Sequence, residues 1–237
     1  MSSLFGRSPN RVMNLDELNH PSFKEVLQSL DVLLEQNTRL YLHPSKRWEY
    51  PWALQRAQLK PPAKILDAGC GWSVFPLYLA KQGLEVSGCD VDVPSMKFSD
   101  VPLEYIRGDI LNLPYKNNSF DAVFCISVIE HLGHDSIPQA LAELRRVLKP
   151  ESKLLLTTDF YENADEQLFH QGPGERFAVD WSFFDEKLFR DFILKADGFE
   201  VSGEVDLTVN WAETKPRMRV FHGYPYTSVG AALIKEE

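Results

Sequence analysis

The spacing of apolar residues changes once along the chain. From 21 to 42, Phe23, Val26, Leu27, Leu30, Leu33 and Leu34 recur at three- and four-residue steps, which predicts an amphipathic helix. A second, short helix is expected over 51–59, stopped by Pro61-Pro62. Beyond that pair, short apolar runs at 63–67, 85–90, 103–107, 120–128 and 153–158 read as strands. Helical stretches at 75–82 and 137–148 separate several of them. The run 120–128 is apolar almost throughout, as a central strand covered on both faces must be. An amphipathic helix over 184–196, closed by Gly198, then strands at 200–206 and 228–234, complete the pattern. Strands joined by crossover helices predict an α/β fold with a doubly wound parallel sheet. The division that follows is an N-terminal helical extension, 1–62, and an α/β domain, 63–237. Residues 1–20 read as a mobile lead-in.

Composition narrows the field without changing that picture. The 237 residues suit one large domain, and 44% hydrophobic residues supply an ordinary core. No run of roughly 18 apolar residues could span a bilayer, and the first residues lack the apolar stretch of a secretory signal. A net charge of −9 argues against nucleic acid or an anionic membrane as partner. The clusters Arg145-Arg146 and Lys215, Arg217, Arg219 read as solvated faces. Cys70, Cys89 and Cys125 form no C-x-x-C pair and sit in or beside apolar runs. They are expected to be buried, reduced thiols of a cytoplasmic protein, with no metal site.

Chemistry concentrates in Ile65-Leu-Asp-Ala-Gly-Cys-Gly-Trp-Ser73, where a buried strand runs into a turn with two glycines and a helix leaves. Glycines there permit positive φ and let a ligand lie against the backbone. A dinucleotide fingerprint, G-x-G-x-x-G, needs a third glycine where Val74 stands, and Asp67 would repel a pyrophosphate. That acid suits a ligand presenting a cationic amine instead.

The segment resembles motif I of the class I S-adenosylmethionine-dependent methyltransferases, acid-x-G-x-G-x-G, with Ser73 in place of the last glycine. Four further segments resemble the same family in the same order: Val86–Asp90, Arg107–Tyr115, Phe120–Leu132, and Leu144–Pro150 with the strand after it. The match is to the small-molecule, type 11 kind. It implies a Rossmann-like seven-stranded sheet of order 3-2-1-4-5-7-6, with the last strand antiparallel. It also implies S-adenosylmethionine as cofactor, held by Asp67, Gly69, Cys70, Gly71, Asp90, Val91, Asp109, Ile110, Ile126 and Ser127. Asp90 would take both ribose hydroxyls, which suits a carboxylate facing a cis-diol. Val91 would pack on adenine, Asp109 would accept from its amine, and Ile110 would cover the ring.

The expected acceptor is a small molecule methylated on O or N. His131 is the candidate for proton removal, with Glu130 beside it. A metal at this pair would need an acid where Ser127 stands. The segment after the fourth strand lacks the [D/N/S]-P-P-[Y/F] pattern of base methylation, which agrees with the acidic charge. Aromatic residues outside the strands mark the acceptor side, so Trp48, Tyr50, Tyr161 and Trp181 join Glu130 and His131 as substrate-pocket candidates. The connection 159–180 is long, has Gly172-Pro-Gly174 at its centre, and is expected to act as a lid. Two other readings remain open: a non-catalytic cofactor-binding subunit, and an NAD-dependent oxidoreductase.

Overall fold

The computed structural model describes residues 8–163, 182–221 and 224–237. In chain order its main elements are β1 (Asn10–Val12), α1 (Pro21–Gln36), α2 (Lys46–Ala57), β2 (Lys64–Ala68), α3 (Phe75–Lys81), β3 (Glu85–Asp90), β4 (Leu103–Arg107) and β5 (Phe120–Ile126). They continue with α4 (Ile137–Val147), β6 (Leu148–Tyr161), α5 (Glu186–Phe189), β7 (Phe199–Val201), β8 (Val205–Asp206), α6 (Trp211–Thr214), β9 (Arg219–Phe221) and β10 (Tyr224–Lys235).

Strands β4-β3-β2-β5-β6 run parallel, and β10 adds antiparallel to β6. This is the doubly wound, Rossmann-like sheet, with α3 and α4 as crossover helices whose apolar faces close two cores. The departure from the expected order lies beyond β10. The expected sixth strand is broken at Ser202–Glu204 into β7 and β8. Only β7 pairs with β10 directly, while β1 takes the adjoining stretch of the same edge and carries β8 outside it.

The lead-in is therefore corrected: residues 10–12 are a buried strand, and Asn10 is fully buried. Asn10 fills the break. Its amide nitrogen lies 3.0, 3.4 and 3.1 Å from the carbonyls of Ser202, Gly203 and Glu204, and its Oδ1 accepts from Ala232 N–H at 2.6 Å. One side chain thus serves backbone groups that an unbroken strand would have paired.

Other boundaries moved for local reasons. The first helix ends at Gln36, where Asn37 turns back to donate to the Leu33 carbonyl at 2.9 Å. The second helix begins at Lys46 rather than 51, with Pro51 inside it. The fourth parallel strand stops at Ile126 because Ser127 adopts φ +50°, and the next strand runs on from 148 to 161. The late helix starts at Glu186, where Asp185 accepts the Leu188 N–H, and finishes in a π-helical turn, 190–194. The proposed lid lies outside the described residues from 164 to 180, as does Trp181.

The N-terminal helices share a core with the sheet. Phe23, Leu27 and Leu30 of α1 and Trp48, Trp52 and Ala53 of α2 pack with Phe75, Phe124 and Leu155. The indole of Trp52 lies so close on Gly230 that a Cβ there would sit 2.5 Å from Cζ2. This contact seats α2 across the middle of β10.

Candidate functional site

A cavity of about 770 Å3 opens at the carboxyl ends of β2, β3 and β5. Of the ten residues expected to hold a cofactor, nine line it, and Asp67 lies buried nearby. Such a crevice is where doubly wound sheets bind ligands.

The turn after β2 forms its floor. Gly69 holds φ +80° and donates to the Cys89 carbonyl at 2.7 Å. A Cβ there would lie 2.3 Å from Val128 Cγ2, so both the dihedral and the space demand glycine. Ser73, standing where the motif has its last glycine, has its own task. Its hydroxyl accepts the Phe75 N–H at 3.0 Å at the start of α3 and pairs with the Tyr50 hydroxyl at 2.6 Å. The substitution thus trades backbone freedom for a tie between the loop, the helix and α2.

Asp90, at the end of β3, accepts Gly71 N–H at 2.8 Å through one oxygen and Asp92 N–H at 3.0 Å through the other. Its carboxyl is oriented before any ligand arrives. Val91 is 48% exposed beside it, an apolar surface left open on the cleft. Asp109 and Ile110 stand on the same wall, with Asp109 accepting the Leu111 N–H at 2.9 Å.

Sequence reasoning missed the opposite end. Lys46 enters the cleft from α2, and its ammonium sits 2.9 Å from Glu49 Oε2 and 3.1 Å from the Ile126 carbonyl. Two of three N–H bonds are thereby used, which leaves one for an anionic ligand group. Glu49 is fully buried and also accepts from Ser127 Oγ at 3.0 Å and Ser228 Oγ at 2.7 Å. It ties α2 to the turn after β5 and to β10. Helical spacing i, i+3 between Lys46 and Glu49 was the available signal, hidden by reading Pro51 as a helix start.

Electrostatics here favour a cationic ligand. Burial raises the Asp67 carboxyl to about 7, and Asp90 adds to the shift while Lys46 opposes it. Burial likewise pushes Glu130 up. For Lys46, burial works to lower the ammonium, but Glu49 and Glu130 outweigh it and the net shift is upward. One buried cation therefore faces several carboxyls.

The acceptor-side candidates separate. His131 and Tyr50 line the cleft. Burial, with Lys46 adding to it, pushes the His131 imidazole down to about 4, so it is neutral at pH 7. Glu130 is buried behind the cleft, where its Oε2 accepts from Thr158 Oγ1 at 3.3 Å. Trp48 is buried against Trp52 and donates from Nε1 to Glu17 at 2.7 Å, which places it in the core. Tyr161 packs between Phe183 and Tyr226, away from the cleft lining. All three cysteines are buried free thiols. Burial raises the Cys70 thiol far above its ordinary range, so it is inert where it lines the cleft.

Comparison with known proteins agrees with this geometry. Residues 66–156 match the family described as "Methyltransferase domain". An uncharacterized protein of Methanocaldococcus jannaschii is 31% identical over 149 residues, covering 62% of this chain and 60% of that protein. A sterol 24-C-methyltransferase of Gibberella zeae is 29% identical over 180 residues, covering 67% of this chain and 45% of its own length. The chain thus spans about half the length of these curated relatives. Among solved structures, the 1,6-didemethyltoxoflavin-N1-methyltransferase of Burkholderia thailandensis superposes with a TM-score of 0.55 at 18% identity, covering 95% of this chain and 92% of that one. That likeness speaks to the fold.

The glycine turn, the ordered acids and the sheet together form one crevice at the carboxyl edge of a doubly wound domain. Over residues 66–156 the chain is similar to the methyltransferase domain family, and the group that this similarity implies is S-adenosylmethionine. The residues present fit that group: a glycine turn at positive φ on the floor, a preset carboxylate suited to a diol, an open apolar wall, and an ammonium with a donor to spare.

Proposed function

We propose that the chain is a methyltransferase that uses this cofactor to methylate an O or N atom of a small-molecule acceptor. The observation that carries the reading is the pairing, in one cleft, of Asp90 at one end with Lys46 at the other. They are spaced along a floor whose turn holds Gly69 and Gly71 at positive φ.

S-adenosylmethionine supplies a methyl group already activated on a sulfonium, so the protein must chiefly position and exclude water. Lys46 would hold the carboxylate of the amino-acid end, and Asp67 would attract its ammonium. Asp90 would accept the ribose hydroxyls, Val91 and Ile110 would cover adenine, and Asp109 would accept from its amine. Ile126 and Ser127 would flank the sulfur end, where His131 faces the acceptor. An imidazole titrating near 4 is a weak base. It can accept a hydrogen bond from an acceptor and orient it, which suits an amine attacking as its free base better than an alcohol.

The acidic net charge supports a small acceptor over nucleic acid, and the buried reduced thiols support a cytoplasmic setting. Among the described residues no helix is long and apolar enough to cross a membrane.

Calorimetric titration with S-adenosylmethionine, S-adenosylhomocysteine and NAD tests the reading. Binding of the first two, with NAD silent, is expected; NAD binding alone would overturn it. Turnover with any acceptor excludes the alternative of a purely cofactor-binding subunit.

A further inference from the structure

The segment that joins α1 to α2 crosses the glycine turn and is tied to it through the backbone. Tyr41 N–H donates to the Trp72 carbonyl at 3.0 Å, and the Tyr41 carbonyl accepts the Val74 N–H at 3.1 Å. Residue 41 thereby pairs with Ser73 like a one-residue parallel strand. The turn is in turn held to the end of β3, by Gly71 N–H on Asp90 at 2.8 Å and by Trp72 Nε1 on Asp92 at 3.2 Å. The backbone of Tyr41 is thus fixed beside the cleft, and the same segment leads into Lys46.

The side chain stands in the cleft itself. Tyr41, Gly71 and Asp90 all line it. A Cβ on Gly71 would lie 3.5 Å from Tyr41 Oη and 4.0 Å from Asp90 Oδ2, so the phenol and the carboxylate border the same small space over that glycine. Among the described residues three large apolar side chains are exposed, and two of them, Tyr41 at 53% and Val91 at 48%, line this cleft. Burial raises the Tyr41 phenol, with Lys46 opposing the shift and Asp90 adding to it, so the hydroxyl keeps its proton at pH 7 and can donate.

The two groups have complementary chemistry. A carboxylate only accepts, so Asp90 can take the hydrogens of a diol but cannot serve the lone pairs of its oxygens. A phenol donates, and Tyr41 is placed to supply that missing hydrogen. We infer that Tyr41 is a further cofactor-contacting residue, whose hydroxyl donates to a ribose hydroxyl of the cofactor while Asp90 accepts from the same diol. The inference rests on the reading of this cleft as the cofactor site.

The test is a cycle between the protein and the ligand, read by calorimetry on the full chain. Wild type and Tyr41→Phe are titrated with S-adenosylhomocysteine, its 2′-deoxy and 3′-deoxy analogues, and 5′-methylthioadenosine, which keeps the ribose and lacks the amino-acid end. Tyr41→Phe should weaken S-adenosylhomocysteine by about three- to tenfold, the loss of one neutral hydrogen bond. The same loss should persist with methylthioadenosine and vanish with one of the two deoxy analogues. An unchanged midpoint of urea unfolding would show that the variant is folded, as expected for a side chain half in solvent. S-adenosylhomocysteine affinity indifferent to Tyr41→Phe would overturn the inference, as would an equal loss on all four ligands. A loss that vanishes with methylthioadenosine would place the hydroxyl at the amino-acid end and overturn it too. Failure of the wild-type chain to bind S-adenosylhomocysteine would overturn the cofactor reading together with this inference, whereas tight binding that ignores Tyr41 overturns the inference alone.

Discussion

The buried pair Lys46–Glu49 makes the sharpest prediction, because stability and cofactor binding depend on it in different ways. Glu49→Ala leaves the Lys46 ammonium with only the Ile126 carbonyl and removes the acceptor of two serine hydroxyls. Breaking a buried ion pair from one side costs about 3–5 kcal/mol, and a stranded hydroxyl adds about 1 kcal/mol. With both hydroxyls stranded, a total of about 5–7 kcal/mol is a large part of the 5–15 kcal/mol that stabilises a typical domain. The double variant Lys46→Met/Glu49→Gln removes both charges yet keeps an acceptor for Ser127 and Ser228. It should lie within about 2 kcal/mol of the wild type, since exchanging a buried pair for neutral groups is often close to neutral.

Urea unfolding of Lys46→Met, Glu49→Gln and the double variant closes the cycle, and the double variant should be destabilised by at least about 2–3 kcal/mol less than the two single changes added together. S-adenosylhomocysteine titration gives the second arm. Lys46→Met should lose about 10- to 100-fold in affinity, one charge-assisted contact to a carboxylate, and the double variant should lose as much despite its recovered stability. Additive stability changes would mean that the two side chains do not share one buried charge environment. Affinity restored together with stability would mean that Lys46 does not touch the ligand.

Further outcomes follow from the same cleft. Asp90→Ala should lower cofactor affinity by at least about tenfold at unchanged fold, by loss of two charge-assisted hydrogen bonds worth about 1.5–3 kcal/mol each, read by calorimetry. Gly69→Ala should abolish cofactor binding or unfold the protein, because its methyl meets Val128 at 2.3 Å; Val128→Ala in the same chain should restore folding in part, leaving the cost of the positive φ. Because Asp67 titrates near 7, it is ionised above that pH and neutral below it. Cofactor affinity should therefore fall as pH drops through 7, by up to about tenfold per unit, and Asp67→Asn should flatten the profile. The free protein should show the opposite trend: a raised carboxyl stabilises below its unfolded pKa, and that contribution is lost as pH rises from about 4 through 7. Asn10→Ala should cost about 2–3 kcal/mol in chemical unfolding, by stranding backbone groups of the broken strand and of Ala232.

What could be read from the chain, and what could not, divides along a physical line. The parallel strands and the glycine turn are written locally: a buried strand must be an apolar run, and a turn against a ligand needs glycine. Asp90, Val91, Asp109 and Ile110, named from the family resemblance, all line the cleft, because each sits at or just beyond the end of such an element. The same locality misled at Trp48 and Tyr161, where an aromatic outside a strand was taken for a pocket wall although both are packed in the core. Asn10 and Glu49 were invisible for the converse reason. Asn10 belongs to no local pattern, its partners lying at Ser202 through Ala232, and Glu49, beyond its i, i+3 pair with Lys46, has its partners at Ser127 and Ser228. A polar residue with such partners looks like a solvated one until the sheet closes. Both do the same thing, tying the first sixty residues to the last strands around the family's core.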